Sequence, residues 1–146
     1  METVDFVDTE YILGDILEVP VLAGAQIVGG TMVAFDKERG GCTAVVGRRG
    51  YQFVGVALQG VDNSQGSTGQ KMVFVRRRGR FLFMFSVAPT TKNLFCRVYG
   101  STDKMVETDE LGPEGPWVGN LVALEKRNSL RGWIEIDGAI TEGRRG

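Results

Sequence analysis

Short runs of β-branched and aromatic residues, each closed by a glycine-rich turn, limit most strongly how this chain can fold. The 146 residues include 21 glycines, about twice the usual share. Many short strands at close spacing, joined by such turns, favour an all-β fold, a small Gly-rich β-barrel or sandwich. The predicted strands are residues 15–19, 31–36, 42–46, 51–58, 70–76, 79–85, 94–99, 117–125 and 132–136.

Alternation along two of these strands assigns their faces. In 70–76, Val73 and Val75 lie on one face and Met72 and Phe74 on the other. The run 79–85 is apolar on both faces in the same way, which is typical of a central strand or of one at a contact between subunits. The predicted core residues are Val54, Val56, Val73, Val75, Phe81, Phe83, Val98, Val118, Val122, Trp133 and Ile136.

Charge is distributed unevenly along the chain. The total is −1, but residues 1–20 carry six acidic and no basic side chains, and residues 36–97 carry eleven basic against three acidic ones. This asymmetry indicates an electrostatic partner, which can be another copy of the chain, or else two solvated ends that contact nothing. We predict an acidic, extended N-terminal arm at 1–20, a β-barrel domain at 21–140 and a flexible C-terminal tail at 141–146.

The acidic start of the chain has two readings. Isolated apolar residues, among them Phe6 and Tyr11, interrupt its acidic ones. Spaced apolar anchors in an acidic segment are typical of an arm that becomes ordered on a partner. The alternative is a first edge strand of the barrel.

Several classes of chemistry lack their residues. The chain has no histidine, which excludes Ser-His-Asp and Cys-His nucleophiles and imidazole metal sites. The two cysteines, Cys42 and Cys96, are too few for a zinc site without carboxylate help or for a disulfide framework. The sequence Asp62-Asn63-Ser64 is interpreted as a turn whose side chains cap backbone amides. We therefore expect no enzyme, no cofactor and no metal.

The sequence also gives no sign of a membrane partner. Residues 1–11 lack the basic start and apolar run of a signal peptide. No apolar stretch approaches the roughly 20 residues that a spanning helix needs.

One basic segment has features of nucleic-acid binding. Four arginines, Arg76, Arg77, Arg78 and Arg80, stand beside alternating phenylalanines. Basic residues can neutralise phosphates and aromatic rings can stack on bases, so a single-stranded nucleic-acid-binding β-barrel is the alternative function. The isoelectric point near 5.5 argues against it, and no nucleic acid is expected as a partner. A carbohydrate- or ligand-binding module is a further alternative, for which an exposed Trp117 would be the only indication.

An ordered set of short motifs spans residues 21–137. It contains the strand Phe53, Val54, Gly55, Val56 and Ala57, then the turn Asp62-Asn63-Ser64 with Gly66 and Gly69, then Val73, Val75, Arg76, Arg77 and Gly79, and a final Gly132-Trp133-Ile134-Glu135-Ile136. This order resembles the capsid cement (head decoration) proteins of tailed bacteriophages. The acidic start and the segment 107–116 depart from that family's pattern.

The resemblance implies a structural virion protein. Such a protein binds the outer surface of a phage head, bridges capsomers and stabilises the shell. Its expected partners are the major capsid protein and further copies of itself, with which it forms a homotrimer. It would be assembled in the cytoplasm of the host bacterium. We expect the arm to contact a neighbouring subunit or the capsid, and the arginine run to receive acidic groups. The predicted contact residues are Asp5, Phe6, Asp8, Glu10, Tyr11, Arg76, Arg77, Arg78 and Arg80.

Overall fold

The computed structural model describes residues 15–126 and 129–137 and confirms the all-β fold class. It contains a five-stranded sheet, a closed five-stranded barrel and a two-stranded ribbon. Two short 3-10 turns, Thr91–Asn93 and Asp109–Leu111, interrupt the strands. The strands are β1 (Ile16–Pro20), β2 (Gln26–Ile27), β3 (Met32–Asp36), β4 (Gly41–Ala44), β5 (Tyr51–Ala57), β6 (Val61–Asp62), β7 (Met72–Arg76), β8 (Arg78–Phe85), β9 (Arg97–Gly100), β10 (Met105–Thr108), β11 (Trp117–Leu124) and β12 (Arg131–Asp137).

The open sheet has the antiparallel order β1-β7-β5-β3-β4. Its edge strand β1 pairs Val19 with Val73 and Leu17 with Val75, so apolar side chains meet across the two strands. The sheet therefore begins within the segment 1–20 that the sequence assigned to the arm, at the strand predicted for 15–19. Residues 1–14 and the tail 141–146 lie outside the described residues.

The barrel follows directly from the sheet. Arg77 is the single residue between β7 and β8, so one nearly continuous run crosses from the sheet into the barrel. The barrel order is β10-β8-β12-β11-β9, with β8 parallel to β10 and the other described pairs antiparallel. Its longest pairing joins β8 to β12 over seven residues, from Arg78 opposite Asp137 to Met84 opposite Arg131.

The core has two layers on opposite sides of the open sheet. The layer between sheet and barrel contains Met32, Ala34, Val45, Phe53, Val56, Phe83, Phe85, Val98, Val106, Val118, Leu121, Ile134 and Ile136. The layer beneath the other side contains Val19, Val21, Ile27, Val33, Cys42, Ala57, Val73 and Val75. Sheet and barrel are thus held together by shared apolar burial, which is the main stabilising term of such a fold.

Seven of the eleven predicted core residues are buried, and one prediction is wrong. Trp133 is 38% exposed on the outside of the barrel, opposite Leu82. The cause is strand parity: Ile134 and Ile136 of β12 point inward, so Trp133 must point outward. The buried seven are Val56, Val73, Val75, Phe83, Val98, Val118 and Ile136, while Val54, Phe81 and Val122 are half-buried.

Two loops and the end of strand β9 meet at backbone contact where the sheet joins the barrel. A Cβ atom on Gly115 would lie 1.9 Å from the carbonyl oxygen of Gly100 and 3.1 Å from the Cα of Gly47. Only glycine permits this approach, because any side chain would overlap the neighbouring backbone. Gly47 precedes β5 in the sheet, whereas Gly100 and Gly115 belong to the barrel, so the junction locks one unit onto the other.

Candidate association surface

An apolar patch lies open on the side of the sheet that faces the barrel. Ile16, Leu58, Met72 and Phe74 are 38–43% exposed, and we call these four residues the uncovered face. They lie on three adjacent chain segments, because Pro20 of β1 pairs with Met72 and the Leu58 N–H donates to the Phe74 carbonyl at 2.8 Å. The exposed Glu18 of β1 lies opposite Phe74 on the same side, so a carboxylate flanks these apolar residues.

Strand register explains why this side is apolar. Val56 pairs with Arg76, so the side chains of Phe74 and Met72, two and four residues away, share the side of Val56. Val56 is buried against the barrel. The uncovered face lies farther along the same side of the sheet, where the barrel no longer covers it. A cluster of exposed apolar side chains with polar residues at its rim is typical of a protein contact.

The predicted arginine run is divided between the two units. Arg76 ends β7 and is half-buried beside the uncovered face, and the Arg77 N–H donates to the Asp15 carbonyl at 2.7 Å. Arg78 and Arg80 lie on the barrel, in a shallow groove that also contains Glu135, Ile136 and Asp137.

Arg80 already has an acidic partner within the chain. Its Nε donates to Glu135 Oε1 at 3.0 Å, and both side chains are largely exposed. A pair of this kind contributes only about 0–1 kcal/mol, so it can exchange partners at low cost. The arginines expected to receive acidic groups therefore fall into a sheet-side pair and a barrel-side pair.

The aromatic residues next to these arginines are engaged in the interior. The rings of Phe81 and Phe83 stack on each other, with centroids 6.1 Å apart and planes inclined by 20°. Phe83 is buried, and Phe81 packs against the same core layer. The ring surface that would stack on nucleic-acid bases is thus used inside the protein, and nothing about these two residues favours the nucleic-acid alternative.

The turn Asp62-Asn63-Ser64 does cap the backbone, as predicted. The Ser64 N–H donates to Asp62 Oδ1 at 2.9 Å. The Ser64 hydroxyl and this backbone N–H, the hydroxyl the more strongly, lower the pKa of Asp62. The sequence did not reveal the stronger role of Asn63, which is buried and donates through Nδ2 to the carbonyls of Val21, Leu22 and Ser67 at 3.0–3.1 Å. Asn63 thereby fixes the chain that enters and leaves the sheet.

The other residues of the motif set have structural positions. Phe53 and Val56 belong to the layer under the barrel, and Val54 and Ala57 pack on the opposite layer. This switch of sides within one strand needs a bulge, and Gly55 provides it with φ +150° at the register shift between β3 and β5. Gly79, the second residue of β8, also has a positive φ. Trp133 lies on the outer surface of the barrel.

A cleft of about 550 Å³ lies beside the glycine junction, lined by Arg49, Tyr51, Glu114 and Trp117 among others. Trp117 is half-buried, the Arg97 guanidinium covers its ring at 4.5 Å, and its indole N–H donates to the Gly119 carbonyl. The ring therefore already has polar partners within the chain.

The two cysteines are not paired. Cys42 is buried in one core layer and Cys96 packs against the other. Within the described part of the chain there is no group of three or more Cys, Asp or Glu residues that could hold a metal ion. No described helix is long and apolar enough to cross a membrane. No protein-family model, curated protein or solved structure matches this chain.

Proposed function

We propose that this chain is a capsid decoration protein, which binds the outer surface of a phage head and bridges adjacent capsomers. The observation that supports it is the uncovered face, a three-segment surface of exposed apolar side chains flanked by Glu18 and Arg76 on an otherwise well-packed β fold. The ordered motifs of the sequence point to the same function. A cement protein acts through contact area, so its working part must be an exposed surface rather than a catalytic group.

Burial of apolar surface carries the affinity in this proposal. Each Å² of apolar surface removed from water contributes about 25 cal/mol, whereas an exposed ion pair contributes at most about 1 kcal/mol. The arginines therefore guide the approach of an acidic partner and set its orientation. Contacts spread over neighbouring capsomers must all break before the shell can open.

The acidic arm is the proposed partner of the sheet-side arginines. Its anchors, Phe6 and Tyr11, lie outside the described residues, but the described chain starts at Asp15, whose carbonyl is bound by the Arg77 N–H. The arm thus leaves the sheet next to Arg76, the arginine that borders the uncovered face. In an assembly of identical chains it can reach the same arginines of a neighbour.

The capsid contact is tested by co-sedimentation with emptied heads of the phage whose genome encodes the chain. We expect saturable binding that is lost on Phe74→Asp, because a buried carboxylate replaces an apolar contact. Binding should be retained in Val87→Asp, the same change of charge at another exposed apolar residue, just after β8 and outside the face. Failure of the unaltered chain to sediment with the heads would refute the proposal. Tight retention of single-stranded DNA with a steep salt dependence would favour the nucleic-acid alternative.

The electrostatic part has a separate test. Reversing Arg76, Arg77, Arg78 and Arg80 to glutamate should weaken assembly and abolish its salt dependence. The control reverses Arg48 and Arg49, which lie in an exposed turn after β4. Equal assembly and an equal salt response in both variants would show that the arm and the arginines do not pair.

A further inference from the structure

The cleft beside the glycine junction lies between the two units of the fold. Arg49 and Tyr51 form the wall on the sheet side, and the segment from Glu114 to Trp117 forms the wall on the barrel side. Its volume of about 550 Å³ falls within the range of about 300–1,000 Å³ for small-molecule sites, which often lie at such boundaries. Gly115 also lines the cleft, so the two walls are joined at the point where the backbones are in contact.

Trp117 is held in place on its wall of the cleft. The Arg97 guanidinium covers one face of its ring, 4.5 Å from the centroid, and the indole N–H donates to the Gly119 carbonyl at 3.0 Å. The preceding Pro116 carbonyl accepts from the Gly100 N–H at 2.9 Å, which binds this wall to β9. Arg97 does not line the cleft, so the ring surface that borders the cleft is not the one that Arg97 covers. A side chain fixed in advance loses little entropy when a ligand binds to it.

The two charged groups of the cleft leave each other unsaturated. Arg49 Nη2 and Glu114 Oε2 are 3.9 Å apart, which is too far for a hydrogen bond. The two side chains are 78% and 61% exposed. The guanidinium thus has N–H donors, and the carboxylate has acceptor sites, for a third group placed between them.

The pairing of these charges selects the chemistry of that third group. An anionic ligand matches Arg49 but is repelled by Glu114, and a cationic ligand matches Glu114 but is repelled by Arg49. A hydroxyl group both donates and accepts, so neighbouring hydroxyls on one neutral ligand can satisfy both side chains. The aromatic rings of Tyr51 and Trp117 add surfaces whose negative faces attract polarised C–H groups.

We propose that this cleft binds a neutral oligosaccharide. The C–H surface of a sugar ring packs on Trp117 and Tyr51, while its hydroxyls accept from Arg49 and donate to Glu114. This function goes beyond capsid attachment and does not rest on it. Tyr51 begins β5 and Leu58 of the uncovered face follows its end, about 20 Å away along an extended strand. A chain attached through the uncovered face therefore keeps the cleft accessible.

The first test uses the full chain and the neutral oligosaccharides of a printed glycan array. The strongest binder is then titrated by isothermal calorimetry. We expect saturable binding at one site, with a dissociation constant that is the same at low and high salt, because the ligand carries no charge to be screened.

Variants at the two exposed side chains place the sugar in the cleft without disturbing the fold. Arg49→Ala and Glu114→Ala should each raise the dissociation constant about tenfold, since each removes a hydrogen bond to a charged group. Arg48→Ala is the matched control, because Arg48 is the exposed neighbour of Arg49 in the same turn and does not line the cleft. Its dissociation constant should equal that of the wild type.

Three outcomes would overturn the inference. The first is a chain that binds no neutral oligosaccharide of the array. The second is a wild-type dissociation constant in both Arg49→Ala and Glu114→Ala. The third is binding only of acidic glycans or of oligonucleotides, weakened by salt. Arg49→Ala should still sediment with phage heads like the wild type, so the saccharide site and the capsid contact can fail independently.

Discussion

Replacing Gly115 by alanine should destabilise the junction between sheet and barrel. The added Cβ would lie 1.9 Å from the Gly100 carbonyl oxygen, whereas an ordinary contact begins near 3.4 Å, so that oxygen would have to retreat by about 1.5 Å. It cannot do so freely, because the Gly100 N–H is bound to the Pro116 carbonyl at 2.9 Å and β9 is paired on both sides.

The expected cost lies at the upper end of the range for overpacking, about 3 kcal/mol. For a chain of this length, 1 kcal/mol corresponds to roughly 4 °C in Tm, so Tm should fall by about 12 °C. Urea unfolding followed by tryptophan fluorescence gives the free energy directly, and Trp117 reports from the affected loop. The urea dependence should keep its slope, since the unfolded chain exposes the same surface.

Gly60→Ala is the matched control. Gly60 also has a negative φ, but its added Cβ would meet the nearest atom, the Ile27 carbonyl oxygen, at 3.4 Å. Alanine there should be neutral, or stabilising by up to about 1 kcal/mol through the unfolded chain. If Gly115→Ala unfolds at the same urea concentration as Gly60→Ala, the two loops and the end of β9 do not meet at backbone contact, and the reasoning about the junction is refuted.

Three further predictions concern buried or paired polar groups. Asn63→Ala should lower the free energy of unfolding by about 3 kcal/mol in urea titrations, because it removes three hydrogen bonds to backbone carbonyls, each worth about 1 kcal/mol. A loss below about 1 kcal/mol would contradict this. The Arg39 side-chain hydrogen bond holds the pKa of Asp36 below its ordinary 3.8, so its stabilisation is complete above the unfolded pKa and disappears as pH falls through the folded pKa. Asp36→Asn should therefore be less stable than wild type at pH 7, with a gap that closes at pH 2; a gap independent of pH would refute the pairing. Burial raises the pKa of the Cys42 thiol to about 12, so iodoacetamide at pH 8 should modify Cys42 only after the protein unfolds. Cys96 is partly accessible and should react slowly in the native protein, as measured by peptide mass spectrometry. Modification of Cys42 in the native protein would show that its core layer opens.

Strand positions could be predicted because alternation and turn residues are local signals. Each of the nine predicted strands overlaps a strand of the structure. The missed strands are short: Gln26–Ile27 and Val61–Asp62 contain two residues each, and Met105–Thr108 contains four. Two residues cannot show a period of two, and the third strand is defined by pairing with β8 and β9, which are distant in sequence.

The start of β9 was predicted wrongly for a conformational reason. The sequence Leu94-Phe95-Cys96 has strand composition, but the strand begins at Arg97 because Phe95 is held at φ +69°. No residue of the usual left-handed type marks the site, so the sequence gives no signal for it. The most exposed apolar side chain of the structure was thus hidden in a predicted strand.

Apolar residues on both faces of 70–76 allowed either a central strand or a strand at a subunit contact, and the structure shows that these alternatives are compatible. β7 is central in hydrogen bonding, between β1 and β5, yet only Val73 and Val75 are buried, while Met72 and Phe74 remain open. Strand order and layer coverage are set by different interactions. Backbone pairing saturates the edges of a strand, but only a second layer covers its face. For β7 the barrel ends before that face does, and we expect a neighbouring chain to supply the missing layer.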